Sequence, residues 1–182
     1  MARASVIQTA NGKPRELNQG GTSTSEVAFT TDGTVPVVLE IPGALKELAQ
    51  SGSVRFKVRA WGRVTTSGTL NFTAAIHYHT SLTSATITAS QVMESSGTVS
   101  LASLTTNWEV EVELLWDGTG DRLNGYGWSQ VHTTKAAETT IDNALTSIDP
   151  TATTTMGFIA AGTFGTGAAG NTCNLDGFEI EF

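Results

Sequence analysis

Two histidines two residues apart, His77 and His79, are the sharpest chemical signal in this sequence. On a β-strand, positions i and i+2 share a face. A pair of neutral imidazoles there is a start toward a zinc site or another transition-metal site. Metal-binding jelly rolls follow such a pair with a glutamate a few residues on and with a later histidine after a Pro-x-Gly motif. Here Thr80, Ser81, Leu82, Thr83 and Ser84 follow, and neither motif is present. His132 is the remaining histidine, and no pattern marks it as a third ligand. The expectation is two polar residues on the outer face of a strand, with no metal and no cofactor.

Other catalytic patterns are weaker still. There is no G-x-S-x-G elbow to present a nucleophilic serine. Glu109, Glu111 and Glu113 offer carboxylates for glycoside chemistry, but they alternate along one exposed face, where the desolvation that tunes a catalytic carboxylate is not expected. The run GTFGTGAAG at 162–170 lacks the Lys-Ser/Thr of a phosphate-binding loop. Cys173 is the only cysteine, which excludes an intrachain disulfide and a cysteine-based zinc site. No enzymatic activity is expected.

Charged and aromatic residues carry more information. Arg55, Lys57, Arg59 and Arg63 lie in one run and hold four of the ten basic residues. If that run neighbours the one bearing Glu109, Glu111 and Glu113, the charges form cross-strand pairs of about 0.2–1 kcal/mol each. If it does not, the two are complementary patches suited to contact between subunits. Trp61, Trp108, Trp116 and Trp128, with Tyr126, are candidates for a carbohydrate-stacking platform. Trp108 and Trp116 share the phase of their strand's apolar face and read as core. Trp61 and Trp128 have the opposite phase, and at least one of them is expected on the surface or in an interface.

The elements that position these residues are strands. Period-2 alternation runs through 53–66, with Val54, Phe56, Val58 and Ala60 on one face, and through 69–80, with Leu70, Phe72, Ala74, Ile76 and Tyr78 on one face. The turn Thr66-Ser67-Gly68 predicts a hairpin between them. Residues 107–117 (NWEVEVELLWD) and 123–133 predict a second hairpin, in which Gly125 and Gly127 mark a bulge or the close approach of another backbone or a bulky ring. Residues 35–41, 85–93, 98–101, 156–164 and 172–182 read as further strands, the last with a bulge at Asp176-Gly177. Residues 44–50 form the one predicted helix. The spacing of Ile141, Leu145 and Ile148 predicts a loop with a short helical turn within 134–155.

Composition agrees. Charged residues make up only 15% of the 182, against about a quarter in an average domain, and threonine and glycine suit pleated strands and tight turns. The result is one all-β domain, an antiparallel jelly-roll-like β-sandwich over 26–182. An extended N-terminal arm precedes it over 1–25, whose apolar pair Val6 and Ile7 is a candidate for contact with a neighbouring subunit. A net charge of -7 disfavours nucleic acid as a partner. No apolar leader and no membrane-spanning run is seen, so synthesis in the cytoplasm and no membrane partner are expected.

The stretch from 54 to 182 resembles jelly-roll-like structural proteins of tailed-bacteriophage virions. The resemblance rests on VRFKVRAWGRVTTSGTLNFTAAIHYHTS, NWEVEVELLWDGTGDRLNGYGWSQV and GFIAAGTFGTGAAGNTCNLDGFEIEF. It implies a capsid decoration (cement) protein on the virion surface, a homotrimer bound to the major capsid protein. The alternative it leaves is a tail- or fibre-associated domain that binds carbohydrate or a receptor. Interface candidates are then Val6, Ile7, Arg55, Lys57, Arg59, Trp61, Glu109, Glu111, Glu113, Tyr126 and Trp128.

Overall fold

The structure is a computed structural model that describes residues 5–7, 15–17, 27–31, 35–80, 91–117, 119, 122–136, 138–146, 148–151, 156–166, 168 and 170–182. In chain order the elements are β1 (Ser5–Ile7), β2 (Arg15–Leu17), β3 (Val27–Thr31), β4 (Val35–Pro36), β5 (Val38–Glu40), α1 (Gly43–Gln50), β6 (Ser53–Thr65) and β7 (Leu70–His79). They continue with β8 (Gln91–Ser95), β9 (Val99–Leu101), β10 (Thr105–Asp117), β11 (Arg122–Val131), β12 (Thr134–Lys135), β13 (Thr139–Thr146), β14 (Gly157–Phe164) and β15 (Thr172–Glu181). All strand pairs among the described residues are antiparallel, and the expected all-β, jelly-roll-like sandwich is observed.

One sheet has β10, β6 and β15 at its centre, with β11 and then β12 and β13 on one side, and β1, β2, β3 and β4 on the other. The second sheet places β8 and β9 beside β7, then β14, then β5 and β3. Strand β3 joins them: Val27 and Ala28 pair with β14, and Phe29 and Thr30 with β2.

The core lies between the inner faces. Phe56, Val58, Ala60, Trp108, Val110, Val112, Leu114, Trp116, Phe178 and Ile180 face Phe72, Ile76, Tyr78, Phe158, Ala160 and Phe164. The alternation that identified each strand is the alternation of burial along it. Phe29 stacks on Trp108 with ring centroids 5.4 Å apart, and Phe56 meets Phe158 across the sandwich at 6.1 Å. Each buried indole N–H has a carbonyl acceptor: Trp108 donates to Asn174 (3.2 Å) and Trp116 to Ile148 (3.0 Å). That removes the cost of burying the donor unpaired.

The chain departs from the sequence expectation most clearly at β6 and β7, which do not form a hairpin. Strand β6 pairs with β10 and β15, and β7 with β14, β8 and β9, so the turn between them carries the chain from one sheet to the other. Both strands own a continuous apolar face, and this arch presses the two faces together instead of laying them side by side. The arch is held by polar contacts. Thr66 N–H donates to Leu104 O (2.9 Å), while the buried Asn171 accepts from Ser67 N (3.0 Å) and Ser67 Oγ (3.1 Å) and donates to Thr166 O (3.2 Å).

Smaller differences have similar causes. The predicted loop after Thr134 contains β13, which covers the edge of β11. Buried Ile141 belongs to that strand and not to a helical turn. The apolar run 35–41 divides at Val37 into β4, paired with β3, and β5, paired with β14. Of the predicted strand 85–93, residues 85–90 lie outside the described residues. In the N-terminal stretch, β1 pairs with β15 (Val6 opposite Ile180, Ile7 opposite Glu179) and β2 pairs with β15 and β3. The described parts of the arm therefore add to the chain's own sheet, where the edge of β15 offers backbone groups to be paired. Gly127 leaves room for a carboxylate: a Cβ there would lie 2.6 Å from Glu94 Oε2. Glu94 is buried and accepts a hydrogen bond from Ser129 Oγ at 3.0 Å, linking β8 to β11 across the sandwich.

Candidate functional site

The outward-pointing residues of β6, β10, β11 and β15 share one face of the first sheet. The register sets Lys57 opposite Glu113 and Glu181, Arg59 opposite Glu111 and Glu179, and Trp61 opposite Glu109 and Gly177. The basic and acidic runs are thus neighbours and pair within the chain. Arg55 reaches Glu113 (3.4 Å), Lys57 reaches Glu111 (3.3 Å) and Glu113 (3.7 Å), and Arg59 pairs with Glu109. Most of these contacts run diagonally, because long side chains lean along the strand. Arg63 forms a two-pronged pair with Asp176 (Nε–Oδ2 2.9 Å, Nη2–Oδ1 3.3 Å).

The ladder shifts the titration of Arg59, Lys57 and Tyr126. Hydrogen bonding to Glu109 holds the Arg59 guanidinium above its ordinary pKa, against a smaller opposing effect of burial. Burial on its own lowers the Lys57 ammonium, but Glu111 and Glu113 outweigh it and the net shift is upward. The Tyr126 hydroxyl is pushed up, chiefly by its hydrogen bond with Glu113. The face is therefore dense in donors and acceptors, with its four basic side chains ion-paired and the carboxylates of Glu179 and Glu181 opposite Arg59 and Lys57.

At one end of this face is an open cleft of about 410 Å³. Its lining includes Trp61, Arg59, Glu109, Gln130, His132 and Asp176. Trp61 reaches it because Gly177 has no side chain: a Cβ at 177 would fall 2.1 Å from Trp61 Cζ2. The indole takes that space and lies against the bulged backbone of β15, where the register shifts between Leu175 and Gly177. The Arg59 guanidinium carbon sits 5.0 Å from the Trp61 ring centroid, a cation–π contact. The opposite wall is the β11–β12 turn. His132, the first of its two turn residues, has φ of 57°, a conformation that glycine usually fills in a tight hairpin. It is held there by its own N–H on Asn107 O (3.0 Å), by Gln130 Nε2 on its carbonyl (3.0 Å) and by Nδ1 against Thr106 Oγ1 (2.9 Å).

The sequence-predicted residues separate clearly. Trp108 and Trp116 are core. Trp61 and Trp128 are half-buried on the outer face, two strands apart and not adjacent, and Tyr126 is exposed beside Glu113. Trp128 donates from Nε1 to Glu111 (3.2 Å), with Lys135 Nζ 5.5 Å from its ring centroid. Val6 and Ile7 lie along β15 on the backbone register.

His77 and His79 do share a face of β7, but they are each only 1% exposed, not displayed to solvent as expected. The outer face of the second sheet is itself buried at Ala75, Ile159 and Ala161, and the histidines belong to that covered layer. His132 is on the other sheet. Among the described residues no three His, Cys, Asp or Glu side chains converge as metal ligands. Asn107, Gln130, His132, Asp176 and the seat at Gly177 are the cleft residues that sequence reasoning missed. Asp176-Gly177 gave a signal, since it broke the alternation of the last strand, but alternation does not show which ring rests on the glycine.

No protein-family profile matches this sequence, and no curated protein matches it. Solved structures with a similar course of chain include the carbohydrate recognition domain of Emp46p in a potassium-bound form (7% identity, TM-score 0.42, covering 98% of this chain and 87% of that one). A legume lectin-like domain from Entamoeba histolytica is similar at 5% identity and TM-score 0.44, covering 98% and 88%. The carbohydrate recognition domain of Emp47p is similar at 8% identity and TM-score 0.38, covering 98% and 87%. At these values the likeness is one of general strand layout and says nothing about a ligand.

Proposed function

We propose that this domain binds a neutral carbohydrate in the cleft walled by Trp61 and His132. The observation that carries the reading is the seating of Trp61. An indole is laid on a glycine of the neighbouring strand, in a cleft whose other walls are amide, hydroxyl, imidazole and ion-paired side chains. A pyranose has an apolar C–H face and a polar rim. It matches an aromatic wall that covers the first and hydrogen-bonding groups that reach the second. Because Arg59 pairs with Glu109 in the cleft and Asp176 is paired with Arg63 from outside the lining, a ligand of either charge gains little, whereas hydroxyl groups find both donors and acceptors. The cleft volume is within the range of small-ligand sites.

A role in decorating a capsid draws less from the geometry. The charged faces that would have complemented one another between subunits are satisfied within the chain, and β1 and β2 lie on the chain's own sheet. The test is a screen of the full chain on an array of neutral and charged glycans, repeated with Trp61→Ala. Retention of neutral glycans that is lost in the variant supports the reading. No retention, or retention indifferent to Trp61, overturns it.

A further inference from the structure

We propose that the binding surface extends beyond the Trp61 cleft and takes a linear chain of neutral sugars, running from Trp61 on β6 across β10 to Trp128 on β11. This rests on the carbohydrate reading and adds a second aromatic subsite to it.

The register fixes the layout. Trp61 lies opposite Glu109, Glu109 opposite Gln130, and Trp128 is two residues from Gln130 on the same face of β11. Two strand spacings across and two residues along place the two Cα atoms about 12 Å apart. That separation exceeds a single sugar ring and suits a short run of linked sugars lying obliquely over the strands. Both indoles are fixed before any ligand arrives. Trp61 is seated on Gly177, and Trp128 is tied through Nε1 to Glu111. Pre-organised rings lose little conformational entropy on binding.

The surface between them suits a chain of hydroxyl groups and not a charged polymer. It consists of Arg59 with Glu109 and Lys57 with Glu111, pairs whose remaining donors and acceptors stay available. A cation lies over each ring, Arg59 over Trp61 and Lys135 over Trp128, and moves aside when a sugar stacks there.

The experiment is calorimetric titration of the full chain with linear oligomers of glucose, mannose and N-acetylglucosamine, from the monosaccharide to the hexasaccharide. Affinity for the preferred series is expected to rise by about tenfold or more beyond the disaccharide, which corresponds to the free energy of one added stacking contact. Trp128→Ala removes that rise and leaves the disaccharide affinity unchanged, whereas Trp61→Ala weakens every length. Trp128 is half-buried, so Lys135→Ala serves as a variant of an exposed residue. It uncovers the ring and raises affinity for the oligomers longer than the disaccharide, the hexasaccharide among them. Affinity independent of length, a Trp128→Ala effect equal at all lengths, or a folded Lys135→Ala protein unchanged for the hexasaccharide overturns the extended site alone. Failure of every oligomer to bind overturns the carbohydrate reading with it.

Discussion

Gly177→Ala isolates the structural basis of the cleft without touching a ligand-facing atom. Gly177 is not among the positive-φ glycines of the described chain, so alanine fits the backbone there. The difficulty is space. The new Cβ would lie 2.1 Å from Cζ2, 2.4 Å from Cε2 and 2.5 Å from Cη2 of Trp61. Carbon atoms settle at about 3.5–4.0 Å, so the indole must withdraw by about 1.5 Å. Trp61 is at the surface, so it can swing off β15 while the core stays in place. The expected cost is about 1–3 kcal/mol, the range for overpacking, together with loss of glycan retention. Urea denaturation of the parent, Gly177→Ala, Trp61→Ala and the double variant gives the coupling. With Trp61 removed, the added methyl meets no ring, so a coupling of about 1–3 kcal/mol is expected. Equal cost of Gly177→Ala in both backgrounds would refute the seating of Trp61 on Gly177.

Asn171→Ala removes the acceptor of Ser67 N–H and Oγ and the donor to Thr166 O, and is expected to cost about 1–3 kcal/mol in chemical denaturation; a neutral result would count against the arch between β6 and β7. His132→Gly relieves a left-handed non-glycine residue, a strain of about 1–2 kcal/mol, and gives up the hydrogen bond with Thr106. The thermal midpoint is expected to hold or rise while glycan affinity falls. Burial pushes the Tyr78 hydroxyl up to about 12 from an ordinary 10.0. Its folded pKa lies above its unfolded one, so its contribution is intact below about pH 10 and is lost as pH rises toward 12. Stability against pH is therefore expected to decline across that window, and less steeply in Tyr78→Phe.

The class of fold was legible because burial alternates along β6, β10 and β15 as the residue types do. The β10–β11 hairpin was legible for the same reason, helped by the Asp-Gly-rich turn at its tip. The arch from β6 to β7 was not. A two-sided pattern with a short turn describes a hairpin and a sheet crossover equally well. The choice depends on Leu104, Asn171 and the strands that flank β6, all distant in sequence. The pairing of Arg59 with Glu109 followed once β6 and β10 were neighbours, and alternation could place both charges on one face without fixing that neighbourhood. The cleft was the least legible feature. Trp61 was visible as out of phase, but the other cleft residues come from two distant places in the chain, Gly177 on β15 and Gln130 with His132 at the end of β11. His77 and His79 show the same limit in reverse. Their shared face was read correctly, but alternation alone cannot show that this face is covered.

The most direct test of the account is the indole N–H region of a nitrogen–proton correlation spectrum, with the four tryptophans assigned by substitution, recorded during titration with a neutral oligosaccharide retained on the array. The Trp61 signal is expected to move in a saturable manner while those of buried Trp108 and Trp116 stay in place, and the Trp128 signal to follow only with the longer oligomers. A saturable titration in which the Trp61 signal does not move would contradict the account.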